Sequence, residues 1–454
     1  MASRLRPAVP FGVTFAVAVL IGLAGGDEPF YWDSGGYWRL GETFTSGGGF
    51  ALLDFDSPLR GYSLPLLLAV LREGADAVGM GYGPAVVLFN SLLVALIATV
   101  LAPRLAATIW PERPWGELQV ALMAGAILLF WHGYVSYPLT DLPGLALAML
   151  ALIAVARAGS SARWALTAGL ATALAVNMRP AYVLLVPVVI GLFAWDWYAS
   201  RASTSKPGRR LAFLALIVLG ALLVSLPQSL ATHKHHGSAN PLPGAAEDLS
   251  GRQLTFGMLM QRYDTYVGMD ELGAGMQYID PRGTALLEEE GGRIVSSGQY
   301  LRLVVEHPPT MGLIGLRHLV NGLDARYPTP YVEDVAPQRL LRIAGFAIVF
   351  AGLLRLVWPA ARELLGRSRW LYLAALPLIC ATSVPAAVET RFLLPIYLAC
   401  YLLVLAAPWP NPLADGLRSA ATGRRVGLLA VGLVAFAILV GEITSGASEN
   451  LEFR

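Results

Sequence analysis

The sequence predicts an all-α polytopic membrane protein, and three observations carry that reading. Of its 454 residues 56% are hydrophobic and only 14% charged, where soluble globular chains carry roughly 25% charged residues. The mean hydropathy is +0.57. Apolar runs near the roughly 20 residues needed to cross a bilayer recur along most of the chain.

About eleven such runs are predicted as spanning helices, over 9–25, 84–102, 116–136, 141–157, 164–178, 180–197, 211–230, 338–358, 370–387, 391–408 and 425–443. The run behind Arg4 and Arg6 is read as a retained first span, because many spans follow it and no small-residue cleavage pattern is clear. Cytoplasmic loops are enriched in Lys and Arg, and the clusters alternate with the spans as that rule requires. Arg4 and Arg6, Arg104 and Arg113, Arg157 and Arg163, Arg201 with Lys206, Arg209 and Arg210, Arg362 with Arg367 and Arg369, and Arg418 with Arg424 and Arg425 all fall on one side. That side is predicted to be the cytoplasm, with the C-terminus outside.

Two long segments then face outward. Segment 26–83 holds eight acidic residues against Arg39, Arg60 and Arg72. Within it SPLRGYSLPLLLAVLREGADAVG (57–79) is too short to span, is interrupted by Pro65, and is predicted to lie as a juxtamembrane helix. Segment 231–337 is longer than a structureless connector and is predicted to fold as short helices on the membrane part. The chain therefore divides into a membrane module over 1–230, an outer region over 231–337 and C-terminal membrane helices over 338–454.

Several function classes are excluded or made remote. A net charge of +2, without a basic stretch interleaved with aromatics, gives no nucleic-acid partner. The absence of a GxxxxGK[ST] stretch argues against an ATP-driven transporter. Cys380 and Cys400 both lie in apolar runs and offer no disulfide framework or thiolate zinc site. No cofactor is expected on these residues, and a divalent metal is left open with no ligand motif to hold it.

The charged residues that remain are few and placed at the outer ends. FYWDSGGYWRLG sets Asp33 among Tyr31, Trp32, Tyr37 and Trp38, where it could be a general base or a helix cap. Asp141 in YPLTDLPGLALAML could cap the next helix or serve the same mouth. Arg179 and Arg391 depart from the positive-inside trend, which suggests that each faces an anion, with pairing to a carboxylate such as Glu389 as the alternative. Lys234 and His235 lie in a basic cluster just after the seventh span. The stretches MQRYDTYVG (260–268) and RHLVNGLDARYPTPYVED (317–334), with Arg326 and Tyr327, have the mix of aromatic and polar side chains found in sugar pockets as well as in ordinary loops.

The order of these pieces resembles the GT-C superfamily of polytopic glycosyltransferases, of the protein O-mannosyltransferase and aminoarabinose transferase type. Four stretches carry the resemblance: the DxxxY element from Asp33 to Tyr37, RGYSLPLLLAVL, TDLPxLAL, and ETRFLLPIYLACYLL. It implies a GT-C-like fold that takes a sugar from a polyprenyl-phosphate carrier on the extracytoplasmic face, with Asp33 as base and Asp141 as the acid of the next outer loop. The family often has a second acid beside the first, where this chain has Ser34. An inverting displacement needs one base and cations for the departing phosphate. Arg179, Arg391, Arg60 and Lys234 are the candidates for the phosphate, and Tyr37, Tyr62, His235, Arg326 and Tyr327 for the substrate. The expected partners are a lipid-linked sugar donor, a glycan, lipid or protein acceptor, and membrane lipids. The expected setting is a bacterial inner membrane, the Ala, Gly and Arg bias pointing to a high-GC source. A secondary transporter or lipid flippase, a ligase moving a preassembled glycan, and an inactive scaffold are the rival readings.

Overall fold

The structure is a computed structural model that describes residues 8–25, 30–45, 47–199, 207–244, 249–268, 274–357, 370–406 and 420–453. Arg4, Arg6, Arg201, Lys206, Arg362, Arg367, Arg369 and Arg418 lie outside the described residues. The fold is mostly helical and carries one small sheet.

Six helices among the described residues are long and apolar enough to cross a membrane: Tyr82–Ile109, Glu117–Ser136, Asp141–Ala158, Pro180–Tyr198, Gly208–His236 and Ala430–Glu449. This corrects the expected count of about eleven. Helices do stand at the other five positions, with described stretches that are shorter or more charged than those six. The first, α1 (Ala8–Ala24), has 17 residues, as does Ala162–Met178. Arg339–Val357 carries Arg339 and Arg342 in its first turn and Arg355 in its last. The helix from Trp370 ends at Ile379 in a 3₁₀ turn, Ala381–Ser383, between Pro377 and Pro385, and Leu394–Leu405 is entered through another, Thr390–Leu393. Proline lacks the N–H that would continue the helix, so the chain leaves the helix here, with Glu389 extended in the gap and Arg391 in the 3₁₀ turn that closes it.

Helix α2 (Trp32–Leu40) and helix α3 (Ser63–Val78) follow α1. Pro65 does not break α3. It occupies the first turn, where a missing N–H forfeits no intrahelical bond. Helix α4 (Tyr82–Ile109) passes a π-turn at Ile97–Leu101 just before Pro103, and α5 (Glu117–Trp131), α6 (Asp141–Ala158) and α7 (Ala162–Met178) follow. Then come α8 (Leu185–Ala199) and α9 (Pro207–His236). Buried almost throughout, α6 forms the centre of the bundle. Small residues let α7 and α9 meet backbone to backbone, as membrane helices do: a Cβ on Gly169 would lie 1.9 Å from the Ile217 carbonyl oxygen. The outward faces are apolar, with Leu219, Leu223, Leu226 and Leu230 of α9 all exposed. A surface of this kind suits lipid tails and would be a liability in water.

Segment 231–337 holds helices, as expected, and also strands, which were not. They are α10 (Leu249–Leu259), β1 (Met260–Tyr266), β2 (Ala274–Ile279), α11 (Pro281–Glu289), α12 (Ser297–Glu306), α13 (Pro308–Gly322) and β3 (Tyr331–Val332). Helices α14 (Arg339–Val357), α15 (Trp370–Ile379), α16 (Leu394–Leu405) and α17 (Ala420–Glu449) lead to a terminal strand, β4 (Leu451–Phe453). The sheet order is β3-β1-β2-β4, with β1 antiparallel to β2, β3 parallel to β1 and β4 antiparallel to β2. The C-terminal strand therefore shares a sheet with segment 231–337, and both lie on one side of any bilayer that the helices cross.

Candidate functional site

Asp33 stands in the first turn of α2 but does not cap it, for the N-cap Tyr31 receives no side-chain bond. Its two carboxylate oxygens go to two arginines from distant parts of the chain. Oδ1 accepts from Arg60 Nη2, and Oδ2 accepts from Arg391 Nη2 at 3.0 Å. The Asp33 side chain keeps 33% exposure, whereas Arg391 is 9% exposed. The carboxylate thus opens to solvent on one side and leans on buried cations on the other.

Each partner is held in place. The aromatic neighbours of Asp33 anchor α2: Trp38 packs on Phe30 and Tyr82, each with centroids 5.0 Å away. From β3 the Tyr331 hydroxyl donates to the Tyr31 carbonyl at 3.0 Å and accepts from the Ser34 N–H at 3.1 Å. Burial pushes that phenol up to about 12, so it stays protonated. Arg60 is positioned through its neighbours. A Cβ on Gly61 would lie 1.9 Å from the Asn177 carbonyl oxygen, so only glycine lets this loop press onto the end of α7. Buried Asn177 and Gln228, joined at 2.8 Å, then accept from the N–H groups of Ser63 and Tyr62 at 2.9 and 3.1 Å. Arg60 also donates to the Tyr37 hydroxyl at 2.9 Å. Arg391 is clamped by Glu389, at 2.7 and 2.9 Å.

Burial alone would raise the Asp33 carboxyl, but Arg391 and then Arg60 outweigh it and hold the group below the ordinary carboxylate value. Glu389 behaves oppositely: burial dominates over Arg391 and holds it above the ordinary glutamate value. Beside Asp33, Trp32 takes φ 41° with its side chain half exposed. A bulky residue in left-handed backbone costs about 1–3 kcal/mol, and such strain tends to gather where a side chain must be presented in one direction.

The other candidates divide. Asp141 and Arg179 form a sealed pair at 2.5 Å, 1% and 7% exposed, and Arg179 lies over Phe392 at 4.9 Å. They adjoin the Asp33 site but are closed to solvent. Lys234 reaches Asp54 at 2.8 Å, and His235 Nε2 lies 3.0 Å from the Leu53 carbonyl, so both brace the loop between α2 and α3 rather than joining the cluster around Asp33. Tyr62 is buried against α9, its hydroxyl donating to Val224 at 3.2 Å. Arg326 is paired with Asp324, whereas Tyr327, its hydroxyl donating to the Val335 carbonyl at 2.7 Å, lines a small cavity beside Glu389 and Arg391. Among the described residues no three His, Cys, Asp or Glu side chains come together to hold a metal ion.

Arg262, Asp264 and Tyr134 belong to this neighbourhood and were not singled out as site residues. Arg262 forks onto Asp264 at 2.6 and 2.9 Å, and with Tyr134 they line a cavity that also touches Glu389 and Arg391. A signal for the pairs was present. Arg262 with Asp264, Asp324 with Arg326, and Glu389 with Arg391 are all spaced i, i+2, and for the first pair, on strand β1, that spacing puts both side chains on one face. A larger apolar groove, about 710 Å³, runs between α1 and α5 past Val9, Val13 and Glu117, toward the end of α1 remote from Asp33. The chain matches no protein-family model and no curated protein, so the site is read from its own residues.

Proposed function

We infer that the protein is an integral membrane glycosyltransferase, GT-C-like in its site, that moves a sugar from a polyprenyl-phosphate donor to an acceptor hydroxyl on the extracytoplasmic face. The observation that carries this reading is one half-open carboxylate, Asp33, held between Arg60 and Arg391 at the junction of the membrane helices and the outer sheet. In the reaction Asp33 takes the proton of the acceptor hydroxyl as that oxygen attacks the anomeric carbon. The bond from that carbon to the phosphate oxygen breaks with inversion, and the polyprenyl phosphate leaves with the electron pair.

The arginines have two roles in this scheme. Without donor they neutralise Asp33 and weaken it as a base. When a phosphate arrives it competes for the same guanidinium groups, for which its geometry suits a fork of N–H donors. Drawing Arg60 or Arg391 toward phosphate raises the basicity of Asp33 as the leaving group is gripped. Asp141 and Arg179 support the floor of the site, since their closed pair leaves neither free to grip phosphate.

A transporter would be expected to carry ionisable groups along the middle of its spans. Here Glu117, Asp141, Arg157, Asp196, Arg209 and Arg210 stand in or beside terminal turns of the long helices, with Glu442 about two turns in, which supports chemistry at the membrane surface. The test is to incubate purified protein with radiolabelled polyprenyl-phosphate pentoses and hexoses and with cell-envelope acceptors. Transfer of label from lipid to acceptor is expected; movement of intact lipid between leaflets without cleavage would support the transporter.

A further inference from the structure

We propose that the small cavity between Tyr134, the Arg262–Asp264 pair and the Glu389–Arg391 pair receives one hydroxyl group of the transferred sugar. The proposal rests on the glycosyl-transfer reading above and specifies which part of the substrate this neighbourhood recognises. The cavity measures about 10 Å³, which is room for one water-sized group and hence one hydroxyl. Its wall is built rather than incidental. Arg262 is fully buried, Tyr134 is 3% exposed, and Asp264, Glu389 and Arg391 are each under 9%.

The charges of this wall select for a neutral polar group. Arg262 and Arg391 carry two positive charges, and Asp264 and Glu389 carry two negative ones. Each is already committed: Arg262 forks onto Asp264 and donates to the Asn321 and Asp324 carbonyls at 2.7 and 2.8 Å, and Arg391 forks onto Glu389. Inside the cavity the four charges balance, so a neutral hydroxyl is favoured there, while a phosphate meets Arg391 on its Asp33 side. A hydroxyl can still donate to a spare carboxylate lone pair and accept from a free donor.

That free donor is Tyr134. Its carbonyl accepts from Asn90 Nδ2 at 3.3 Å, but its hydroxyl meets no hydrogen-bond partner among the described residues. It lies within electrostatic reach of Asp141, Arg391, Glu389 and Asp264 together. An unpaired hydroxyl in the wall of a small cavity is the kind of group that discriminates, because a ligand lacking its counterpart leaves it unsatisfied. The cavity shares Arg391 with Asp33, so a sugar whose anomeric carbon faces Asp33 has one flank against this wall.

The experiment measures dissociation constants for citronellyl phosphate and for the same lipid phosphate bearing arabinose, mannose, glucose or galactose, with wild-type protein and Tyr134→Phe in nanodiscs. The variant removes only an unbonded hydroxyl, so no partner is orphaned. At least one sugar is expected to tighten wild-type binding over the bare phosphate. Tyr134→Phe should cut that gain about 5- to 10-fold, the loss of one hydrogen bond, with bare-phosphate binding unaltered. A gain that survives the substitution, an equal loss for bare phosphate, or no gain from any sugar would overturn the subsite while leaving the phosphate grip intact. Failure of every lipid phosphate to bind would overturn the donor reading and the subsite with it.

Discussion

Asp33 is ionised because two arginines outweigh its burial, with Arg391 contributing more than Arg60. A carboxyl whose folded value is depressed contributes stability at neutral pH that is lost as pH falls through that value. Glu389, held above its ordinary value by burial, has the opposite sign: its contribution is present below the unfolded value and lost as pH rises through the folded one. Acidification therefore protonates Glu389 first and loosens Arg391 before Asp33 changes charge. Arg60→Ala removes one of the two lowering influences, so the acid limb of the pH profile for kcat/KM should move to higher pH; an unmoved limb would show that Asp33 does not set it. Asp141 and Arg179 make a different prediction. Asp141→Ala leaves a buried guanidinium unpaired, a change that costs about 3–5 kcal/mol, and should appear as a clear loss of melting temperature in detergent. A variant as stable as wild type would mean that water reaches Arg179.

At the scale of elements, the apolar runs were legible and the contacts between them were not. A helix stands at each of the eleven expected positions because a run of that length and composition has few other ways to satisfy its backbone in lipid. The expected span over 370–387 is too long where prolines end the helix, at Pro377 and Pro385. The sheet escaped notice because β1 is covered on both faces and shows no alternation, and because its outer neighbour β4 comes from the far end of the chain. Asp33 and Arg391 were each singled out, yet their meeting joins positions 358 residues apart, which no local pattern encodes. The loop carrying Arg60 depends on one glycine. Gly61→Ala would drive a methyl group into the Asn177 carbonyl and should lower stability by about 1–3 kcal/mol or more while displacing Arg60. Unchanged melting and unchanged donor affinity would show that the loop is free to shift.

The whole molecule puts the four-stranded sheet, with its C-terminal strand, and the Asp33 cluster at one end of the helices. The other end is marked by Arg209 donating to the Ser160 carbonyl at 3.3 Å and Arg210 to that of Trp197 at 2.8 Å. Both native cysteines are buried, so single reporters placed at exposed sites give a clean test of sidedness. Ala239→Cys and Glu452→Cys should react with an impermeant maleimide added outside intact cells, and Ser160→Cys only after the membrane is opened; labelling of all three from outside would contradict this arrangement. The account as a whole turns on Asp33 as the group that takes the acceptor's proton. Its most direct test is the single-turnover rate of sugar transfer by wild-type protein and Asp33→Asn, both saturated with lipid-linked donor. A loss of about 10²- to 10⁴-fold with donor binding retained is the predicted result, and near-wild-type turnover by Asp33→Asn would contradict it.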